Sequence, residues 1–172
     1  MEAITLRAGS LAMFCAIASA VAGCGSPAVK AGLDPCIVGS WRTTGVHGTV
    51  TSSDGTLHIP LTGGAGQKTV LRGDGTVTVV YDGSAPQVGT GTDGSTYTIN
   101  VTGQIAGTVK TDGDQVTLDI TDPQDATQTI SKDGAVLQTV NPPGEEVSTY
   151  ACSAHRSLTV TTNGISLAFV PS

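Results

Sequence analysis

Aspartate followed by glycine recurs along this chain at a spacing that leaves room for two short strands and little else. The pairs Asp54-Gly55, Asp74-Gly75, Asp93-Gly94, Asp112-Gly113 and Asp133-Gly134 lie 20, 19, 19 and 21 residues apart, and Asn163-Gly164 follows near the end. A further pair, Asp82-Gly83, falls off that spacing and opens a loop through Pro86. Asp-Gly and Asn-Gly suit the type I′ hairpin turn, whose two central residues need φ > 0. Each interval therefore reads as strand, turn, strand. The residues flanking the turns do not match one another, so the period is one of turns and not of a repeated module.

Between the turns, apolar residues alternate with Thr and other polar residues. Val77, Val79 and Tyr81 interleave with Thr76, Thr78 and Val80; Tyr97, Ile99 and Val101 with Thr98, Asn100 and Thr102. Val116, Leu118 and Ile120 interleave with Thr117, Asp119 and Thr121, and the same pattern carries Leu158, Val160, Ile165, Leu167 and Phe169. A period of two with one apolar side predicts antiparallel sheets that have one core face and one wet face. Those apolar residues are assigned to the inside. Candidate strands run over 38–51, 56–62, 67–73, 75–82, 95–103, 105–111, 114–121, 126–132, 134–140, 146–151, 156–162 and 164–170. Merging reduces them to an expected eight to ten. Successive strands as neighbours, closed to remove free edges, predict an all-β antiparallel up-and-down barrel, with a β-sandwich as the alternative.

Composition removes the competing classes. Charged residues are 13% of the chain and aromatics 3%, too little of the helix-forming stock for a bundle or coiled coil. A net charge of −6 without a Lys/Arg cluster excludes a phosphate-neutralising nucleic-acid binder. The ordered alternation of Val, Ile and Leu excludes a disordered chain.

The N-terminus reads as an address. An apolar run of 12 residues, Leu11 to Ala22, is too short for a membrane-spanning helix and fits the core of a signal peptide. It ends Val21-Ala22-Gly23-Cys24, which resembles the bacterial lipobox. The resemblance implies a signal helix over 1–23, cleavage before Cys24, and a diacylglycerol thioether with further acylation (palmitate or similar) on Cys24. It also implies an exported, membrane-anchored protein of the bacterial cell envelope. Residues 24–35 are mostly Gly, Ser, Pro and Ala and read as a lipidated tether; 36–172 form the folded domain.

Of the 4 cysteines, Cys15 falls in the signal segment and Cys24 is assigned to lipid, leaving Cys36 and Cys152. Two thiols in an exported chain predict one disulfide, with two buried free thiols as the alternative. The enclosed loop, 152 − 36 = 116 residues, sets a chain-entropy ceiling of roughly 4.5–5 kcal/mol.

The domain opens Cys36-Ile37-Val38-Gly39-Ser40-Trp41-Arg42 and contains the chain's 1 Trp. Gly39-x-Trp41 at the start of the first strand resembles the lipocalin (calycin) barrel. Tyr150-Ala151-Cys152 followed by Leu158-Thr159-Val160 resembles the closing strands of small bacterial lipocalin-like lipoproteins. The resemblance implies that Trp41 closes one end of the barrel and that Gly39 lets the chain pass close by. Read without it, Trp41 is a core aromatic. No Arg stands in the final strand to stack on the Trp; Arg42 and Arg156 are the candidates for that place.

Reactive constellations are sparse. If Asp54-Gly55 is a two-residue loop, His58 faces Thr51, and His47 lies about 13 Å further along the strand at ~3.3 Å per residue, too far to share a metal directly. Asp112 and Asp114, and Asp119, Asp122 and Asp125, sit at turns without a calcium-loop frame. Gly63-Gly64-Ala65-Gly66 lacks the Gly-Lys-Ser/Thr ending of a phosphate loop, and there is no Gly-x-Ser-x-Gly elbow. No enzyme, metal or cofactor is expected. The expected role is that of an anchored envelope lipoprotein whose barrel binds a small apolar ligand or envelope component. The alternative is a structural or protein-interaction module with a filled interior. An apolar cavity of ~300 Å³ or more would favour binding.

Overall fold

The computed structural model describes residues 32–142 and 144–172. The signal segment, Val21, Ala22, Gly23 and Cys24 lie outside the described residues. After a single 3-10 turn at Pro35–Ile37 come thirteen strands: β1 (Gly39–Thr51), β2 (His58–Gly63), β3 (Lys68–Leu71), β4 (Thr76–Val80), β5 (Gln87–Thr90), β6 (Thr96–Thr102), β7 (Gln104–Asp112), β8 (Gln115–Asp122), β9 (Thr127–Lys132), β10 (Ala135–Val140), β11 (Glu145–Ser153), β12 (Ser157–Thr162) and β13 (Ile165–Pro171).

Eight of them close into an antiparallel barrel in the order β1-β3-β4-β7-β8-β11-β12-β13, with β13 returning to β1. The barrel is up-and-down, as the alternation predicts. The other five strands form an extension in the order β2-β5-β6-β9-β10, attached through β2 to β1. The strand count exceeds the expected eight to ten because the twelve candidates all persist without merging and β5, which was not among them, is added. Segment 95–103, read as one more strand like the rest, is β6 of the extension.

β1 is long enough, at 13 residues, to serve both parts. Its first four residues pair with β3 (Gly39↔Leu71 to Arg42↔Lys68) and its last four with β2 (Gly48↔Leu61 to Thr51↔His58). The register shift between Thr43 and Gly45 marks the change.

Antiparallel alternation puts the ends of β1, β4, β8 and β12 on one side of the barrel. The first three of those ends are where the chain departs into the extension, and the fourth is the Asn163-Gly164 turn. The other end carries short turns, β3–β4, β7–β8 and β11–β12, and the entering 3-10 turn. The barrel therefore has a floor of short connections and a mouth on which the extension stands. Gly103 alone joins β6 to β7 there, at φ +81°, and a Cβ would lie 2.6 Å from the Asp125 carbonyl oxygen, so only glycine fits.

The apolar faces fall inside as the period of two requires. Val77, Val79, Leu158 and Phe169 are buried in the barrel, with Val116, Leu118, Ile120, Val160 and Leu167 against them. Tyr97 and Ile99 also turn inward, but into a second, smaller core with Leu57, Ile59 and Leu61 in the extension; Ile165 joins them. The residues assigned to the inside thus divide between two cores.

The turns differ from expectation in detail. Only Asp133-Gly134 (φ 49° and 82°) and Asn163-Gly164 (φ 49° and 79°) have both residues at positive φ. At Asp54, Asp74, Asp82, Asp93 and Asp112 the glycine alone is left-handed. At three of these the aspartate works through its side chain. Asp54 Oδ1 accepts from the Thr56 amide at 3.1 Å, Asp74 Oδ1 from the Thr76 amide at 2.9 Å, and Asp93 Oδ1 from the Ser95 amide at 3.0 Å. These are Asx turns, in which a carboxylate replaces a backbone acceptor two residues on.

Candidate functional site: the barrel cavity

The floor is built first. Cys36 and Cys152 form a disulfide with a Cα–Cα distance of 6.1 Å, which ties the entering chain to β11. Trp41 is 2% exposed and its Nε1 donates to the Ile37 carbonyl at 2.7 Å. Asp34 accepts from the Cys36 amide at 2.8 Å and from the Tyr150 hydroxyl at 2.8 Å. Burial, then the bond to Asp34, pushes the Tyr150 phenol up. Trp41 thus lies at a barrel end, as expected. Gly39 is needed for its φ of +148° rather than for a close approach, since a Cβ there would meet only Trp41 Nε1, at an ordinary 3.8 Å. Arg42 and Arg156 are exposed, and the cation over a ring among the described residues is Lys132, above Tyr97 at 5.6 Å.

Above the floor the barrel encloses a cavity of about 260 Å³. Its wall is apolar, from Leu71, Val77, Val109, Leu158 and Phe169 near the floor to Ile105, Ile120 and Leu167 higher up. Polar groups gather toward the mouth. Tyr81, Glu146, Ser148 and Thr162 come from the barrel, Gln67 from the loop before β3, and Gln87 and Gln128 from the feet of the extension. The Ser148 and Thr162 hydroxyls are hydrogen-bonded to each other. Burial, and next to it the charge of Glu146, pushes the Tyr81 phenol up to about 12.

Glu146 was not found by reading the sequence, and the reason is physical. By hydrophobicity alone β11 should bury Val147 and expose its neighbours. It does the reverse: Glu146, Ser148, Tyr150 and Cys152 face inward and Val147 is 52% exposed. The disulfide decides. Cys152 must reach Cys36 inside the floor, and 152 − 146 = 6 is even, so residue 146 shares its face.

The remaining candidates stay apart from this cavity. His58 stands opposite Thr51, the predicted register, with Nδ1 and Thr51 Oγ1 3.1 Å apart, while His47 is exposed beside Ser166. His155 lies in the β11–β12 turn at φ 57°. Asp112 and Asp114 flank the β7–β8 turn, while Asp122 and Asp125 bracket the turn into β9. Gly63 to Gly66 form the link between β2 and β3.

A smaller hollow of about 230 Å³ lies near the tip of the extension, lined by Asp54, Asp93 and Tyr97 among others. Its carboxylates are already engaged. Asp93 Oδ2 accepts from Lys132 Nζ at 2.8 Å and from the Tyr97 hydroxyl at 2.9 Å, and the Lys132 bond foremost holds the Asp93 carboxyl down to about 2.

No protein-family model matches this chain, and neither a curated protein nor a solved structure matches it.

Proposed function

We propose that this chain is a lipid-anchored protein of the bacterial cell envelope whose lipocalin-like barrel binds a small apolar ligand. The observation that carries the binding part is the 260 Å³ apolar cavity above a sealed floor. It sits just under the ~300 Å³ at which small-molecule sites usually begin, so the ligand is small. The eight-stranded closed barrel and the Gly39-x-Trp41 opening support the lipocalin-like reading, and Val21-Ala22-Gly23-Cys24 supports the anchor. The disulfide fits an oxidising, exported compartment.

Octan-1-ol is the test ligand. Calorimetry on the intact chain should give saturable binding, and Val160→Trp, which fills the cavity, should abolish it while the fold persists by circular dichroism. Undiminished binding to the filled variant would reject the site. The anchor is tested separately. Cys24→Ser should leave the precursor uncleaved or release an unlipidated form from the membrane fraction; normal processing with the mature form still membrane-bound would reject it.

The interaction-module reading is favoured by one observation. β10 is the free edge of the sheet, carries no charge or proline, and exposes Val136 (64%) and Leu137 (44%). Edge strands are usually guarded by such residues.

A further inference from the structure

The cavity has a charge preference written into its wall. Among the described residues, 22 line the cavity; Glu146 is the single one of these that carries a formal charge, and there is no Lys, Arg or His among them. A carboxylate tail-end entering this mouth would meet a like charge and no cation to offset it. A cationic head would meet an acceptor-only carboxylate in a mouth also lined by the amides of Gln67, Gln87 and Gln128, whose carbonyls can accept as well.

The placement of Glu146 runs against the hydrophobic pattern of its own strand. Its neighbour Val147 is 52% exposed because Tyr150 and Cys152 take the inward face, and Glu146 shares that face. Local rules that are broken while the surrounding structure holds them broken tend to mark functional positions. Here the staple at Cys152 and the inward Tyr150, bonded to Asp34, hold β11 in that register.

Resting on the binding reading above, we propose that the barrel selects single-chain amphiphiles with a short aliphatic tail and a cationic head, and discriminates against fatty-acid anions. The tail lies on Val77, Leu118, Val160 and Phe169 and the head stops at Glu146. At about 30 Å³ for each water-sized group, 260 Å³ holds roughly nine such groups, which an eight-carbon chain with its head fills.

Three ligands of equal tail test this on the intact chain by calorimetry: octan-1-ol, octylammonium and octanoate. Octylammonium should bind roughly tenfold or more tighter than octanoate, the span that a hydrogen bond to a charged group supplies. Glu146→Gln should bring the two within about threefold, and Glu146→Lys should invert their order. Glu145→Gln removes the same charge from the outward face of the same strand and should leave the order unchanged. Should Glu146→Gln fail to fold, the order of the three ligands on the unaltered chain still decides. Octanol binding with octanoate as tight as octylammonium overturns the charge preference and leaves the cavity reading standing. An equal loss of discrimination in Glu145→Gln overturns it too, because net charge rather than the mouth would then be the cause. Binding of none of the three overturns both.

Discussion

The two ends of the barrel are made from the same kind of strand and do opposite things. At the floor, connections are short and the chain's one Trp, the Cys36–Cys152 disulfide and the Asp34–Tyr150 bond are concentrated there. At the mouth, the chain leaves three times to build another sheet, and the inward side chains turn from Val and Leu to Gln, Tyr, Ser and Glu. The contrast teaches where this fold keeps its stability and where it can vary. Substitutions at the floor should change the free energy of folding and leave ligand preference alone; substitutions of mouth side chains should do the reverse.

The largest effect should come from Trp41→Ala, which removes a buried aromatic and its hydrogen bond and should cost roughly 3–5 kcal/mol in denaturant unfolding. A loss under about 1 kcal/mol would mean that the floor is not where stability resides. Replacing Cys36 and Cys152 together by Ala should cost about 2–5 kcal/mol. Unchanged stability would break the contrast from the floor side.

At the mouth, Gly103→Ala places a Cβ against the Asp125 carbonyl at a left-handed φ and should cost roughly 1–3 kcal/mol through strain. Hydrogen exchange should then rise at β6 and β9 more than at β11. Equal change everywhere would show that extension and barrel open as one unit.

The smallest effect concerns acid. Asp54, Asp74 and Asp93 are held below the usual carboxylate value of 3.8, the first by the Ser52 hydroxyl, the second by the Thr76 amide and Asp93 most strongly by Lys132. Groups with depressed folded values stabilise the native state above the unfolded value and lose that contribution as pH falls toward the folded one. The thermal midpoint should therefore fall between about pH 4 and pH 2, and Asp93→Asn should flatten that fall. A midpoint that is level across this window would show that the turn carboxylates contribute nothing.

The barrel was legible because its strands obey a period of two. Val77 and Val79, Val116 to Ile120, and Leu158 and Val160 face inward for the reason the alternation supplies: a slip of one residue would send each set to water. The extension was not legible. β5 (Gln87–Thr90) offers one apolar residue, Val88, and that one is 39% exposed. Its Gly89 lies so close to β2 that a Cβ would meet the Pro60 oxygen at 2.3 Å, a constraint with no trace in local pattern. Nothing in Tyr97 or Ile99 says which of two cores receives it. Within the site, the apolar wall could be read and the charged mouth could not. The Cys36–Cys152 bond was expected, but Glu146 becomes an inward residue only when that bond is combined with an unbroken period of two along β11, from Cys152 back to 146.

Where the chain enters and leaves has a consequence for handling and orientation. Gly32 and Asp34 are bonded to Thr111 at the floor end of β7, and the Ser172 amide donates to the Ser40 carbonyl at 3.0 Å beside the same floor. Both ends of the described chain thus emerge on one side, the side away from the cavity entrance. An anchor on the upstream segment, as proposed above, would hold the barrel by its base, with the opening turned away from the point of attachment. A fluorescent or affinity domain fused after Ser172 would sit at the base as well, and would leave the opening clear.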